Sequence, residues 1–174
     1  MMKTIQAKLC LLGDFSVGKT SLVRRYVEGY FDDRYLSTIG VKISRKRILK
    51  DTIQLNLLIW DLAGSEDFKK YENSYLRGAA GALIVCDLTR AATFECLPRY
   101  YRQIRQVNPD AFAVFVGNKL DLIPKHAPFI NPIADFAAEC GMPHILTSAK
   151  TGEQTEAAFL AAGDLILSAL ESHG

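Results

Sequence analysis

The sequence has few cysteines, no long apolar run and only a small net charge, and each of these features argues against a class of protein. Its four cysteines among 174 residues form no CxxC pair and no cluster with the three histidines, as a zinc site would need. No apolar stretch approaches the roughly 18 residues that cross a bilayer. The net charge of +2 argues against a nucleic-acid binder, which must neutralise many phosphates.

The same shortages lead to expectations about where the protein works. Cys10 and Cys86 fall inside apolar runs, so we expect buried, reduced thiols in a cytoplasmic protein. The apolar run at 9–12 is too short for a signal peptide, and the last four residues contain no cysteine for a prenyl group. We therefore expect a monomer with no transmembrane segment and no lipid anchor.

What the sequence does contain is a regular alternation of short apolar runs with helical patterns. Six runs are predicted to be strands, at 5–12, 42–49, 53–60, 82–88, 111–116 and 143–146. Only residues 50–52 separate the second from the third, which predicts a hairpin. Helical spacing starts after Lys19 and ends at Gly29, and it recurs around 94–104 (with Pro98 near the start or at a kink) and at 158–169.

This alternation predicts an α/β protein with three layers. Strands joined through helices give right-handed crossovers and a mostly parallel sheet, and the hairpin adds one antiparallel edge strand. We expect six strands, helices on both faces, and one domain spanning residues 1–174. Ligands of such sheets bind beyond the carboxyl ends of the strands, so motifs at those ends are the ones to examine.

The first such motif is a glycine-rich loop directly after the first strand and before the first helix. Residues 13–20, GDFSVGKT, fit the pattern GxxxxGK[ST] in the required context. Its backbone N–H groups can converge on phosphates, and the following helix adds a favourable dipole. Lys19 should reach the β- and γ-phosphates and the Thr20 hydroxyl should bind Mg²⁺. The loop predicts a nucleoside triphosphate but does not select its base.

Two further motifs follow later strands and concern the base. Residues 118–121 read NKLD, and residues 148–150 read SAK. The Asp121 carboxylate can accept two hydrogen bonds from the N1–H and the exocyclic amine of guanine, a donor pair that adenine lacks. A buried carboxylate without partners is costly, so such a site would reject the wrong base strongly.

Five motifs in this order make the sequence resemble the Ras superfamily of small GTPases, over essentially its whole length and nearest to the Rab-like branch. They are the phosphate loop, YLSTIGV at 35–41, WDLAG at 60–64, NKLD and SAK. The resemblance implies a P-loop NTPase fold, bound GTP or GDP, and effector, exchange-factor and GTPase-activating partners. The expected lack of an anchor would be more typical of a prokaryotic member than of a membrane-sorted Rab.

The resemblance also implies a role for each matching residue. Mg²⁺ would be held by Thr20, by Thr38 and, through a water, by Asp61. The backbone N–H groups of Thr38 and Gly64 would touch the γ-phosphate, so both loops would relax when it is lost. Asn118 would brace the site, Lys119 would pack along the base, and Phe31 would lie edge-on to the ring. The Ala149 N–H would meet the guanine O6. The complete nucleotide set implied is Gly13, Asp14, Phe15, Ser16, Val17, Gly18, Lys19, Thr20, Ser21, Phe31, Tyr35, Thr38, Asp61, Gly64, Asn118, Lys119, Asp121, Leu122, Ser148, Ala149 and Lys150.

Two positions depart from the family pattern and concern the rate of hydrolysis. Relatives usually have glutamine after the DxxG glycine to orient the attacking water, and here that residue is Ser65. Phe15 stands where most relatives have a small residue, and its ring would crowd the entry of an arginine finger. The catalytic set implied is Lys19, Thr38, Gly64 and Ser65, with slow hydrolysis expected. Glu66, Asp67 or a partner's side chain could instead take over the missing role.

Three functions stay open on these residues. The first is a GTP/GDP switch that binds effectors near Thr38 and Gly64. The second is a hydrolysis-deficient pseudo-GTPase that serves as a GTP-bound scaffold, which Ser65 and Phe15 would explain. The third is a small-molecule kinase on the same phosphate loop; NKLD, SAK and the lack of an arginine-rich lid argue against it.

Five cations crowd the strand at 42–49 and the turn after it. They are Lys42, Arg45, Lys46, Arg47 and Lys50. Protection of an exposed sheet edge is the ordinary explanation, and pairing of an acidic partner with that edge is the sharper alternative. Trp60 is usually a packed aromatic, whereas in Rab-like proteins this position forms a partner-sensing patch with the residue corresponding to Ile43 and a switch aromatic.

Overall fold

The fold is a six-stranded sheet with helices packed on both of its faces. The computed structural model describes residues 1–34, 38–64, 72–124 and 130–172. The sheet order is β2-β3-β1-β4-β5-β6, and all pairs are parallel except β2 with β3. The predicted architecture is confirmed: the sheet is mostly parallel, and the antiparallel strand lies at one edge. The strands are β1 (Lys3–Leu12), β2 (Val41–Lys50), β3 (Ile53–Leu62), β4 (Ala79–Asp87), β5 (Phe112–Asn118) and β6 (His144–Leu146).

Six α-helices connect and cover these strands within the described residues. They are α1 (Lys19–Glu28), α2 (Glu72–Leu76), α3 (Ala92–Glu95), α4 (Leu97–Val107), α5 (Ile130–Cys140) and α6 (Thr155–Ser172). The first helix begins and ends as predicted, because Gly29 adopts the left-handed conformation (φ 81°) that closes a helix.

The helical pattern at 94–104 is two helices. They meet at Cys96, and Pro98 lies in the first turn of α4, where a missing N–H costs nothing. Helices α2 and α5 were not predicted. In the helical pattern predicted at 158–169, which lies in α6, Ala158 and Ala162 are buried but Ala169 is exposed.

The inner strands bury both faces, which is why they appear in the sequence as continuous apolar runs. In β1, Leu9 and Leu11 pack into a core with α1 and α6, where the rings of Tyr26 and Phe159 stack with centroids 4.2 Å apart. Cys10 and Leu12 point into the second core, formed with α4 and α5. The two cores fix the strand ends that carry the motifs.

The four cysteines are free thiols. Cys10 and Cys86 are fully buried, as expected, and burial raises the pKa of the Cys86 thiol. Cys96 and Cys140 are half-buried. In the part of the chain that the structure describes, no helix is both long enough and apolar enough to span a membrane.

Candidate nucleotide-binding site

The glycine-rich loop joins β1 to α1 through backbone conformations that few residues other than glycine adopt easily. Gly18, at the helix start, has φ 100°, and Ser16 is left-handed with φ 63°. A Cβ at Gly18 would overlap the Asn118 side-chain nitrogen, and one at Gly13 would overlap the Val85 carbonyl oxygen. Glycine is therefore required at both ends of the loop for backbone conformation and for space.

Lys19 reaches back over this loop. Its side chain is 7% exposed, and its Nζ donates hydrogen bonds to the carbonyl oxygens of Gly13 (2.6 Å) and Asp14 (3.1 Å). The ammonium group therefore lies at the loop's centre, on the side where phosphates would bind. A buried ammonium group beside backbone carbonyls favours an anion next to it.

Three oxygen-bearing side chains meet next to Lys19. The Thr20 hydroxyl donates to Asp61 Oδ2 at 2.5 Å and contacts the Thr38 hydroxyl, which lies 3.3 Å from the same carboxylate oxygen. Asp61 is 1% exposed, and its Oδ1 has no hydrogen-bond partner among the described residues. Burial raises the pKa of Asp61, with opposing contributions from Thr20 and Lys19. Two hydroxyls and a buried carboxylate with a free oxygen fit a hard cation such as Mg²⁺.

Gly64 closes the site from the side of β3. A Cβ there would lie 2.8 Å from the Phe15 backbone nitrogen, so the two backbones are in direct contact. The residue two positions after the end of β3 is thus placed against the phosphate loop, and no larger residue fits without displacing it.

Asn118 joins three segments that are far apart in the sequence. Its Nδ2 donates to the Val17 carbonyl at 3.0 Å, and its Oδ1 accepts from the Thr147 hydroxyl at 3.0 Å and from the Ala149 N–H at 3.2 Å. All of these groups are buried, so each needs the partner that Asn118 supplies. The phosphate loop and the two base loops are thereby fixed relative to one another.

The SAK loop is held by contacts within the site and by a residue that the sequence analysis missed. The Ser148 hydroxyl donates to Asp121 Oδ1 at 2.7 Å, which orients that carboxylate. Arg25, in the last turn of α1, donates through Nε to the Ala149 carbonyl at 2.9 Å and through Nη2 to the Lys150 carbonyl. A cation in the last turn was visible in the sequence, but its target 124 positions away was not.

A second missed residue, Asp87, connects the base loop with the phosphate loop. At the end of β4 and 1% exposed, it pairs with Lys119 Nζ at 2.8 Å and with Arg90 Nε at 3.0 Å. Arg90 in turn donates to the Phe15 carbonyl at 2.8 Å. Burial alone would raise the pKa of Asp87, but the hydrogen bonds from Lys119, Thr89 and Arg90 lower it below the ordinary value.

The Asp14 side chain faces α4. Its carboxylate accepts hydrogen bonds from the Tyr100 hydroxyl at 2.8 Å, the Arg99 guanidinium at 3.3 Å and the Cys96 thiol at 3.0 Å. The outer surface of the phosphate loop is therefore attached to α4 by this carboxylate, and only the backbone of residue 14 is available to a ligand.

A cavity of about 270 Å³ lies over the loop. The predicted residues that line it are Phe15, Ser16, Gly18, Lys19, Thr20, Ser21, Phe31, Thr38, Gly64 and Lys119. Of the other predicted positions, Leu122 is 60% exposed beside the base motif. Tyr35 and Ser65 lie outside the described residues.

Comparison with known proteins supports the same interpretation as the geometry. A model of the Ras family matches residues 8–168. The chain is 38% identical over 154 residues to Ras-related protein Rab-1C from Dictyostelium discoideum, covering 88% of this chain and 77% of that protein. It is 38% identical over 155 residues to the GTP-binding protein YPTM1 of Zea mays (88% and 74%). It is 36% identical over 153 residues to the GTP-binding protein ypt3 of Schizosaccharomyces pombe (87% and 72%).

Proposed function

This chain belongs to the Ras family and is a Rab-like, GTP-binding switch GTPase, and from that premise we propose that its hydrolysis step is slow and that its GTP-bound state is long-lived. The proposal rests on one observation above the others: Phe15 is 51% exposed and lines the cavity over the phosphate loop. An aromatic ring at this place occupies space that a partner's guanidinium would have to enter.

The residues around the cavity divide the work of holding the nucleotide. We assign the polyphosphate to Lys19 and the backbone N–H groups at 13–20, and the guanine to Asp121, Ala149 and Lys119. Asn118 holds these parts in register through its contacts with Val17, Thr147 and Ala149. Ser148 keeps the Asp121 carboxylate in place.

Thr20, Thr38 and Asp61 would hold Mg²⁺, as the free Oδ1 of Asp61 and the two converging hydroxyls suggest. When bound, the ion neutralises charge that develops on the phosphate oxygens during transfer. Thr38 and Gly64 flank the cavity on two different loops. Contacts from both to the terminal phosphate would couple the conformation of those loops to the nucleotide.

Slow hydrolysis follows from what the attacking water would lack. The carbonyl of a glutamine side chain can accept a hydrogen bond from the attacking water while its NH₂ group donates one to the phosphate. The side chain of serine, the residue at position 65, is too short to reach the attacking water. For Ras itself, intrinsic turnover is about 3–5 × 10⁻⁴ s⁻¹ and an arginine finger adds about 10³–10⁵-fold. We expect the unassisted turnover of this chain to lie at or below the lower end of that intrinsic range.

Single-turnover GTP hydrolysis at physiological Mg²⁺ tests the proposal. The wild-type chain is compared with Ser65→Gln, which restores the amide, and with Phe15→Gly, which opens the entry for a finger. We expect Ser65→Gln to raise the unassisted rate and Phe15→Gly to respond to a finger-type activating protein that leaves the wild type unchanged. Wild-type turnover tenfold above the Ras intrinsic range, unaffected by either substitution, would refute slow hydrolysis.

A pseudo-GTPase that serves as a GTP-bound scaffold is the second candidate, and the exposed Phe15 ring favours it too. The same experiment separates the two, because a scaffold retains GTP through many hours without product while a slow switch releases phosphate measurably. The nucleotide that copurifies with the chain adds an independent measure, because bound GDP would indicate turnover and argue against the scaffold.

Effectors would bind next to the nucleotide-dependent loops. Ile43 lies opposite Trp60 in the β2–β3 ladder, and the Trp60 ring is tilted against Tyr75 with centroids 6.4 Å apart. Ile43 is 50% exposed. These three side chains form an apolar contact surface adjoining both loops, suited to effector, exchange-factor and activating proteins that distinguish the two nucleotide states.

A further inference from the structure

The five cations of β2 are divided between two faces of the sheet, and only one group has partners within the described residues. Lys42 pairs with Glu28 at 3.9 Å and Lys50 with Asp164 at 2.6 Å. Lys46 donates to the Tyr26 carbonyl at 3.2 Å and lies over that ring. These lysines stabilise the side of the sheet that α1 and α6 cover.

Arg45 and Arg47 point the other way. Side chains alternate along a strand, so residues 43, 45, 47 and 49 of β2 share the face opposite to that of Lys46. Both arginines are exposed. Neither has a hydrogen bond or an ion pair from its side chain to any residue of the described chain.

The pairing register shows what surrounds these arginines. Arg45 lies beside Leu58 of β3, which lies beside Lys8 of β1; Arg47 lies beside Asn56. We call this surface the open face and define it by three rows across β2, β3 and β1: Arg45–Leu58–Lys8, Arg47–Asn56–Gln6 and Leu49–Gln54–Thr4. None of these side chains is acidic.

Most side chains of the open face are exposed, namely Thr4, Gln6, Arg45, Arg47 and Leu49. The opposite side of the same strands is covered, since Gly163 of α6 lies against Ile48 and Leu55. On the open face, Lys8 Nζ lies 3.7 Å from the centroid of the Trp60 ring, and Leu49 is 63% exposed. Three cations without an acid, interleaved with apolar and amide side chains, form a surface with a single sign of charge.

We propose that the open face binds an acidic, extended segment of a partner protein. Arg45 and Arg47 are two residues apart on one face, so a segment with a carboxylate at every second position matches their spacing. A membrane surface fits less well, because Asn56, Gln54 and Gln6 offer hydrogen bonds that suit a peptide backbone.

Edge protection alone does not account for this arrangement. Lysines that blunt a sheet edge need only be long and charged, and Lys42, Lys46 and Lys50 already serve that purpose on the covered side. Arginine presents a planar fork that matches a carboxylate, and both arginines lie on the open side. The inference does not depend on slow hydrolysis, since it concerns residues away from the phosphate loop.

Fluorescence anisotropy with two labelled peptides tests the proposal on the full GDP-loaded chain. One peptide alternates glutamate and valine, and the other alternates lysine and valine at the same length. We expect only the glutamate peptide to bind. Its dissociation constant should rise about tenfold in the Arg45→Glu/Arg47→Glu double variant, because two attractions become repulsions, and it should also rise with salt.

Arg102→Glu is the control, because Arg102 is an exposed arginine on α4, which packs mainly on β4 and α2. It changes the net charge in the same direction and should alter the dissociation constant less than twofold. The milder Arg45→Gln/Arg47→Gln variant guards against misfolding and should weaken binding by an intermediate factor. GDP affinity, measured on the same samples, should be unchanged in every variant.

Three results would overturn the proposal. In the first, the glutamate peptide does not bind saturably. In the second, Arg102→Glu raises the dissociation constant of this peptide as much as the double variant does. In the third, phosphatidylserine-containing vesicles bind the chain through Arg45 and Arg47 while the peptide does not, which would assign the face to a membrane. None of these results bears on guanine-nucleotide binding or hydrolysis.

Discussion

Replacing Asn118 with alanine removes three buried hydrogen bonds at once. The Val17 carbonyl, the Thr147 hydroxyl and the Ala149 N–H lose their partner, and all three lie away from solvent. Each unsatisfied buried group costs about 1–3 kcal/mol. The sum of about 3–9 kcal/mol is an upper bound, because water can enter the space left by the amide. We expect a loss of unfolding free energy of about 3 kcal/mol or more.

Thermal and urea unfolding of the nucleotide-free chain measure this loss. For a chain of this length each kcal/mol shifts Tm by about 2–4 °C, so a decrease of about 6–12 °C is expected. Asn73→Ala is the matched control, since that exposed asparagine accepts one hydrogen bond, from Gln103 at 3.0 Å. It should cost less than about 0.5 kcal/mol.

Thr147→Val separates one contact from the set. It removes a single donor to Asn118 and keeps the shape of the side chain, so we expect a loss of about 1 kcal/mol. If Asn118→Ala destabilised the chain no more than Thr147→Val or Asn73→Ala does, the claim that Asn118 joins three segments energetically would be wrong.

Three shorter predictions concern the base, the loop and pH. Asp121→Asn should lower the affinity for guanine nucleotides and favour xanthine nucleotides, because the extra carbonyl of xanthine can accept a hydrogen bond from the new amide. Competition between GTP and XTP measures the preference. An unchanged preference would contradict the assignment of Asp121 to the base. Gly18→Ala places a Cβ at a left-handed φ, which costs about 1–2 kcal/mol, and this Cβ would overlap Asn118. Nucleotide affinity, measured by calorimetry, should therefore fall at least tenfold. Gly141→Ala is the control, since Gly141 has φ 66° but open space around it, and it should leave the affinity unchanged. Because the pKa of Asp87 is lowered, the stability that its ion pairs contribute is complete above about pH 4 and is lost as pH falls further. Asp87→Asn should therefore flatten the acid side of a plot of unfolding free energy against pH. An unaltered plot would show that these ion pairs contribute nothing to stability.

Much of the fold followed from local signals because those signals are strong in this chain. Continuous apolar runs such as 111–116 indicate strands buried on both faces, and Gly29 marks the end of α1 through a conformation that other residues avoid. The short helix α2 carries no comparable signal, and its position depends on packing against α4. Helix α5 ends before Gly141, which is left-handed (φ 66°) like Gly29, so a local signal for the end of this helix was present and was not used.

The sequence by itself determined the glycine-rich loop at 13–20, the NKLD motif that ends at Asp121 and the succession of six strands along the chain. Each of these depends on neighbours in sequence or on a fixed motif. Only the tertiary structure decided that Asp87 and Arg25 support the site, and that the cations of β2 fall on two faces with different partners. Such contacts join residues up to 125 positions apart, and their geometry is set when the sheet and helices pack together, not by any local preference of the chain.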